Sequence, residues 1–346
     1  MKKKIAVLIA LLIIFLLISS STFIIILTQK PEEKEEVSLN IIGNITLPTT
    51  PGGYFEPGLA YGIVYDSNDN KIFVLSGEYN ITVIDPRTDK VIDNISLKGY
   101  IDNSFRYYYL PDFSYIDMVY DPINDYIYIA GGTRFVTVLN GHTDEVVDFI
   151  NATPPGLYNN KWQNIKNWTT EAIALDTENH CLYIGVMLFH EYNFSIGWGY
   201  PQIVIYNTST NRIVGNLSGT SIVSKWLHIS GSELWGSCFS SIVYDPDNNY
   251  IYAWLSGIGL VIINTTTNQI TDFINFINNT ELDVPYGQMI YVHDNKCLYI
   301  FTGSITVFNT KTDNLSYINY PNMVYSAYTG VYDPYIKNIF TTDLAE

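Results

Sequence analysis

A phrase that recurs along the chain constrains this sequence more than any other feature. It opens with an apolar run ending in aspartate: Gly62-Ile-Val-Tyr-Asp66, Met118-Val-Tyr-Asp121, Ala172-Ile-Ala-Leu-Asp176, Ile242-Val-Tyr-Asp245, Met289-Ile-Tyr-Val-His-Asp294 and Gly330-Val-Tyr-Asp333. A turn rich in Pro, Asn and Asp follows, and then a second apolar run, such as Lys71-Ile-Phe-Val-Leu75 or Cys297-Leu-Tyr-Ile300. The third run carries its own turn into a fourth: Ile81-Thr-Val-Ile-Asp-Pro-Arg-Thr-Asp-Lys-Val-Ile92 and Leu260-Val-Ile-Ile-Asn-Thr-Thr-Thr-Asn-Gln-Ile-Thr271 are two of five such phrases.

Short strands joined by tight Asp/Asn turns and repeating in fours make the pattern of propeller blades. The expected fold is all-β, a β-propeller of about six four-stranded blades, with a seventh if residues 219–239 supply one. The phrase resembles the YVTN-type β-propeller repeat of surface-layer-like extracellular proteins, over residues 61–343. That resemblance implies an extracellular propeller and assigns no activity.

The last repeat ends after two strands. Asn40-Ile-Ile-Gly-Asn-Ile-Thr-Leu47 matches the fourth-strand phrase Val91-Ile-Asp-Asn-Ile-Ser-Leu97, so an N-terminal strand is expected to close the ring. Closure of this kind removes an exposed sheet edge.

The N-terminus predicts an address. Residues 1–4 form a basic cytoplasmic end, and residues 5–27 an uncharged apolar run long enough for a transmembrane signal anchor. Residues 28–37 form a polar tether, and 38–346 the propeller domain. The expected protein is therefore single-pass, with its C-terminal domain at the cell surface, or secreted if the N-terminal segment is cleaved. Sequons at Asn44, Asn80, Asn94, Asn151, Asn167, Asn193, Asn207, Asn216, Asn264, Asn278 and Asn314 fit an extracytoplasmic glycoprotein.

The formal net charge of −16 argues against nucleic acid as a partner. Cys181, Cys238 and Cys297 are too few for a disulfide framework, and Cys181 and Cys297 read as small buried fillers.

Strand parity places the first–second and third–fourth turns on one face of the propeller. The long segments 98–116, 153–170, 188–201, 219–239 and 277–287 all fall on the other. Long loops on a rigid scaffold are where function concentrates. They hold Tyr107, Tyr108, Trp162, Trp168, Trp198, Tyr200, Trp226 and Trp235, flat amphipathic side chains suited to sugar rings or protein anchors. The repeated aspartates read as turn residues bonding their own backbone rather than as calcium ligands.

No nucleophile elbow, zinc-protease helix, phosphate loop or dinucleotide fingerprint is present. The residues imply no catalytic group, metal set or cofactor. The expected role is a non-enzymatic surface binding or structural protein, with a glycan or protein partner and the membrane at its N-terminal helix. The alternative is an extracytoplasmic propeller enzyme, a hydrolase (lactonase) or quinone-type oxidoreductase with its site at the central channel.

Overall fold

The computed structural model describes residues 60–76, 80–97, 116–131, 133–155, 165–190, 199–219, 221, 225, 238–256, 258–275, 288–301, 305–318, 329–333 and 338–342. The chain separates into two compact units, Met1–Asn44 and Ile45–Glu346, and every described residue belongs to the second. The expected anchor at 5–27, the tether and the closing strand at 40–47 lie outside the described residues. Among the described residues no helix is long and apolar enough to cross a membrane.

The domain is all-β. Blade 1 contains β1 (Ala60–Asp66), β2 (Lys71–Ser76), β3 (Asn80–Asp85) and β4 (Lys90–Ser96). Blade 2 contains β5 (Ile116–Asp121), β6 (Tyr126–Gly131), β7 (Phe135–Asn140) and β8 (Glu145–Asn151). Blade 3 contains β9 (Ile165–Asp176), β10 (Cys181–His190), β11 (Gly199–Asn207) and β12 (Arg212–Ser218). Blade 4 contains β13 (Phe239–Asp245), β14 (Tyr250–Leu255), β15 (Gly259–Asn264) and β16 (Gln269–Asn275). Blade 5 contains β17 (Gln288–Val292), β18 (Cys297–Phe301), β19 (Ile305–Asn309) and β20 (Asn314–Ile318). A further sheet pairs β21 (Thr329–Asp333) with β22 (Asn338–Thr342).

Five sheets are four-stranded antiparallel meanders in chain order, the architecture of a five-bladed propeller, and β21–β22 forms a two-stranded sheet beside them. The first strands β1, β5, β9, β13 and β17 contact one another in succession and line the axis, and β21 touches both β17 and β1. The described part of 219–239 adds no blade: apart from Phe239, the first residue of β13, it holds no strand among the described residues.

Each blade packs a face against its neighbour, so the inner strands are apolar on both sides. Phe73, Leu75 and Ile81 of blade 1 meet Met118, Ile127 and Leu139 of blade 2. Tyr128 and Val138 of blade 2 meet Trp168, Ile173 and Ile184 of blade 3. Tyr183 and Ile205 of blade 3 meet Phe239 and Ile251 of blade 4, and Tyr252 and Trp254 of blade 4 meet Leu298 and Phe308 of blade 5. The three cysteines are buried and none forms a disulfide. Cys181 and Cys297 therefore act as the small fillers their matched phrases suggested.

The outer strands are mostly exposed, and four of them carry a bulge. The register skips Ile92 in β4, Val147 in β8, Val214 in β12 and Thr271 in β16. Ile92, Val147 and Val214 are about half exposed, with relative exposures of 53%, 49% and 54%. A bulge twists the edge and interrupts its row of free backbone groups, which discourages edge-to-edge pairing.

Two sequence expectations need correction. The fifth repeat was aligned on Asp294, but Val292 pairs with Cys297 as Asp66 pairs with Lys71 and Asp121 with Tyr126. Asp294 therefore sits inside the turn, and the strand-end position of blade 5 is apolar. The segments 153–170 and 188–201 are shorter as loops than expected, because β9, β10 and β11 extend into them. Their ladder continues through Met187 opposite Thr169 and Leu188 opposite Trp168, where apolar residues on β10 favour continued burial.

Candidate functional site

The two faces of the propeller are built differently. On one face every described first–second and third–fourth connection is a four-residue turn. Asp66, Asp121, Asp176 and Asp245 are nearly or fully buried, and one oxygen of each accepts the backbone N–H groups two and three residues on. The aspartates are thus turn locks, as their spacing predicted. The strand ends that the fourth–first connections and residues 191–198 join lie at the opposite face.

The described residues place one polar cluster toward that second face, where β9 passes blade 2. Glu171 stands on β9 at a bulge: Ile184 pairs with Ile173 and Val186 with Thr170, leaving Gly185 opposite Glu171 and Ala172. A β-carbon on Gly185 would lie 3.1 Å from the Phe239 Cβ, so a larger residue would require blade 4 to give by a few tenths of an ångström. Glu171 is 1% exposed. The Thr169 hydroxyl donates to its Oε1, whereas its Oε2 is buried and has no hydrogen-bond partner among the described residues. Burial pushes this carboxyl up to about 8, against the smaller downward pull of Thr169.

Neighbouring groups brace the cluster. The Thr170 hydroxyl donates to the Thr133 carbonyl at 3.0 Å and accepts from the Gly131 N–H at 3.0 Å. The Arg134 guanidinium lies 4.8 Å from the centroid of the Trp168 ring. On β5, Asp117 accepts the N–H groups of Met118 at 2.9 Å and Ile173 at 3.2 Å. Asp117 is half-buried as a residue, but its carboxyl is wedged between two inner strands. Burial pushes it up to about 7, opposed by those two donors.

The residues expected to bind lie as follows. Trp168 is on β9 and only 4% exposed, packed in the core between blades 2 and 3. It is therefore a core residue rather than a loop contact: extension of β9 carries it under the Arg134 side chain. Tyr200 is half-buried on β11 and packs against the same core. Tyr107, Tyr108, Trp162, Trp198, Trp226 and Trp235 lie outside the described residues.

Among the sequons, Asn94, Asn151, Asn216 and Asn314 are exposed. Asn80, Asn207 and Asn264 are half-buried, and the last two accept the N–H groups of Thr210 and Thr267 within their turns. Asn167 lies on β9 with its side chain outside the described set, and Asn44, Asn193 and Asn278 lie outside it altogether.

Sequence reading passed over Asp117 and Glu171. A column-by-column comparison of the first strands would have marked Glu171, since β1, β5 and β13 carry Tyr61, Ile116 and Ser240 at its register. It would also have marked Asp69, which stands where the turns of blades 2 to 4 carry Asn124, Asn179 and Asn248. No family model and no curated protein matches this chain.

Proposed function

We propose that this protein is a membrane-tethered, extracytoplasmic β-propeller that binds a surface glycan or protein through the face bearing its long connections. The asymmetry of the two faces carries this reading. One rim consists of short turns locked by buried aspartates, whereas the strands of the other rim are joined by the longer segments 98–115, 156–164, 191–198, 220–237 and 276–287. These segments hold Tyr107, Tyr108, Trp162, Trp198, Trp226 and Trp235. A rigid ring presenting aromatic side chains from one rim suits recognition of sugar rings or protein anchors.

The apolar run 5–27 supports the tether, and the exposed Asn94, Asn216 and Asn314 support an extracytoplasmic, glycosylated domain. The repeat is assigned to the YVTN type on its recurring phrase. Residues 40–47, which repeat the β4 phrase, are proposed as the strand that closes the ring. The test is binding of the full-length protein to isolated cell envelope. Alanine at Trp162, Trp198, Trp226 and Trp235 together is expected to abolish it while melting stays unchanged, and undiminished binding overturns the reading.

Glu171 favours a second reading, an enzyme with its site at the channel. A buried carboxyl on an axial strand, neutral near pH 7 and with one free oxygen, is suited to general-acid work. Turnover of lactone or ester substrates that is lost in Glu171→Gln would establish it, and no turnover by the unsubstituted protein would remove it.

A further inference from the structure

We propose that the junction of blades 1 and 2 on the short-turn rim binds one divalent transition-metal cation, Zn2+ or Mn2+, through Asp69, Asp125 and His142, with the Asp66 carboxylate behind them. The site lies on the rim opposite the proposed binding face and does not depend on that face's role.

Asp69 comes from the β1–β2 turn, Asp125 from the β5–β6 turn and His142 from the β7–β8 turn. One ligand atom of each lies within 4.8 Å of the others. His142 Nδ1 is 3.1 Å from Asp69 Oδ2. Imidazole with carboxylates suits Zn2+ and Mn2+, whose ligand bonds are about 2.0–2.2 Å, so modest side-chain movement closes the set. The His142 side chain is 74% exposed and has room for that movement.

The decisive observation comes from the repeat itself. In blades 2, 3 and 4 the second oxygen of the turn aspartate receives a side-chain amide. Asn124 donates to Asp121 at 2.8 Å, Asn179 to Asp176 at 2.6 Å and Asn248 to Asp245 at 2.8 Å. Blade 1 has Asp69 at that position. The substitution removes the donor and sets a second carboxylate beside the first.

Asp66 is accordingly 0% exposed, and its Oδ2 has no hydrogen-bond partner among the described residues. That oxygen points toward the cluster. A β-carbon at Gly141, next to His142, would lie 3.1 Å from Asp125 Oδ1 and 3.5 Å from Asp66 Oδ2, so both oxygens border the same space. The Tyr120 hydroxyl donates to Asp125 Oδ1 at 2.8 Å and also interacts with the Asp66 carboxylate, so its one proton serves two acceptors. An orphaned buried carboxylate oxygen is costly unless a cation compensates it.

The charge balance points the same way. Asp66, Asp69, Asp125 and Asp144 gather around one permanent cation, Lys71, whose ammonium is 3.5 Å from Asp69 and 3.4 Å from Asp144 and donates to the Gly141 carbonyl at 3.1 Å. At the corresponding junction of blades 4 and 5, by contrast, the Asp247 carboxylate is met by Lys296 at 2.6 Å, His293 at 2.8 Å and the Tyr291 hydroxyl at 2.6 Å.

The test uses the full-length protein, chelator-treated and titrated calorimetrically with Zn2+ and with Mn2+, with melting followed in parallel. Saturable binding of a single equivalent of either ion, with a rise in melting temperature, is expected. Asp69→Asn gives blade 1 the amide its neighbours have, so the metal-free variant is expected to melt at or above the unsubstituted protein while its metal affinity falls at least tenfold. His142→Gln is expected to weaken binding similarly. No saturable binding of either ion, or undiminished affinity in either variant, overturns the proposal.

Discussion

The Asp117 carboxylate of blade 2 accepts the backbone N–H of Ile173 on the first strand of blade 3, at 3.2 Å. The contact is a recurring latch. Ser241, at the same register of blade 4, accepts the N–H of Met289 on the first strand of blade 5 at 2.9 Å. In each case a polar side chain four residues before the strand end pairs an inner-strand amide of the next blade. Asp117→Ala removes the acceptor and is expected to cost about 1–3 kcal/mol. Asp117→Ser copies the blade 4 solution and is expected to recover most of that. Chemical denaturation of the full-length protein checks both, and equal stability of the two variants would show that the latch contributes nothing.

Glu171 ties stability to pH with a definite sign. Its folded-state carboxyl titrates at about 8, above the ordinary carboxylate range, because burial favours the neutral form. Between the unfolded pKa of about 4.3 and that value, the folded state holds a proton that the unfolded state has released. Stability from this group is therefore fully present below the lower pKa and is lost as pH rises through the folded one. Asp117, pushed up to about 7, acts in the same direction over a narrower window. Glu171→Gln cannot ionise. It is expected to flatten the decline between pH 5 and 8 and to exceed the unsubstituted protein at pH 8 by up to about 5 kcal/mol. Denaturation midpoints across that range give the measurement, and parallel pH profiles would refute the assignment.

Much of the scaffold was legible because its determinants are local. An Asp at a strand end followed by Asn or Asp is a turn whatever surrounds it, and the alternation of runs and turns dictates a meander. The fifth repeat shows where that logic stops. In Tyr291-Val-His-Asp294 two registers satisfy the local pattern, and only pairing of Val292 with Cys297 chooses between them. Trp168 was misplaced for a related reason: its segment reads as a loop until Leu188 pairs with it across the sheet. Glu171 stood out as an acid in its column, but its character, like that of Asp117, comes from burial between blades, which no local pattern shows. The anomaly at Asp69 was legible in principle, as one carboxylate in a column of amides, but its meaning needed the orphaned oxygen of Asp66 and the approach of His142.

The turns also contain a local strain that can be relieved. Ten described residues other than glycine have positive φ, between 53° and 58°. Eight of them are Asn or Asp, whose short polar side chains tolerate the left-handed region, and the exceptions are His180 and Lys296. Lys296 gains an ion pair with Asp247 in exchange, at 2.6 Å. For His180 the bonds holding the turn go to its backbone: its carbonyl accepts the Thr208 N–H at 2.8 Å and the Thr208 hydroxyl at 3.1 Å. His180→Asn keeps those bonds and supplies the residue that Asn249 already provides in the first turn of blade 4. It is expected to stabilise the protein by about 0.5–1 kcal/mol, seen as a rise of about 1–3 °C in melting temperature. The reciprocal Asn249→His is expected to lower it by a similar amount. If both variants melt with the unsubstituted protein, the left-handed position carries no side-chain preference here.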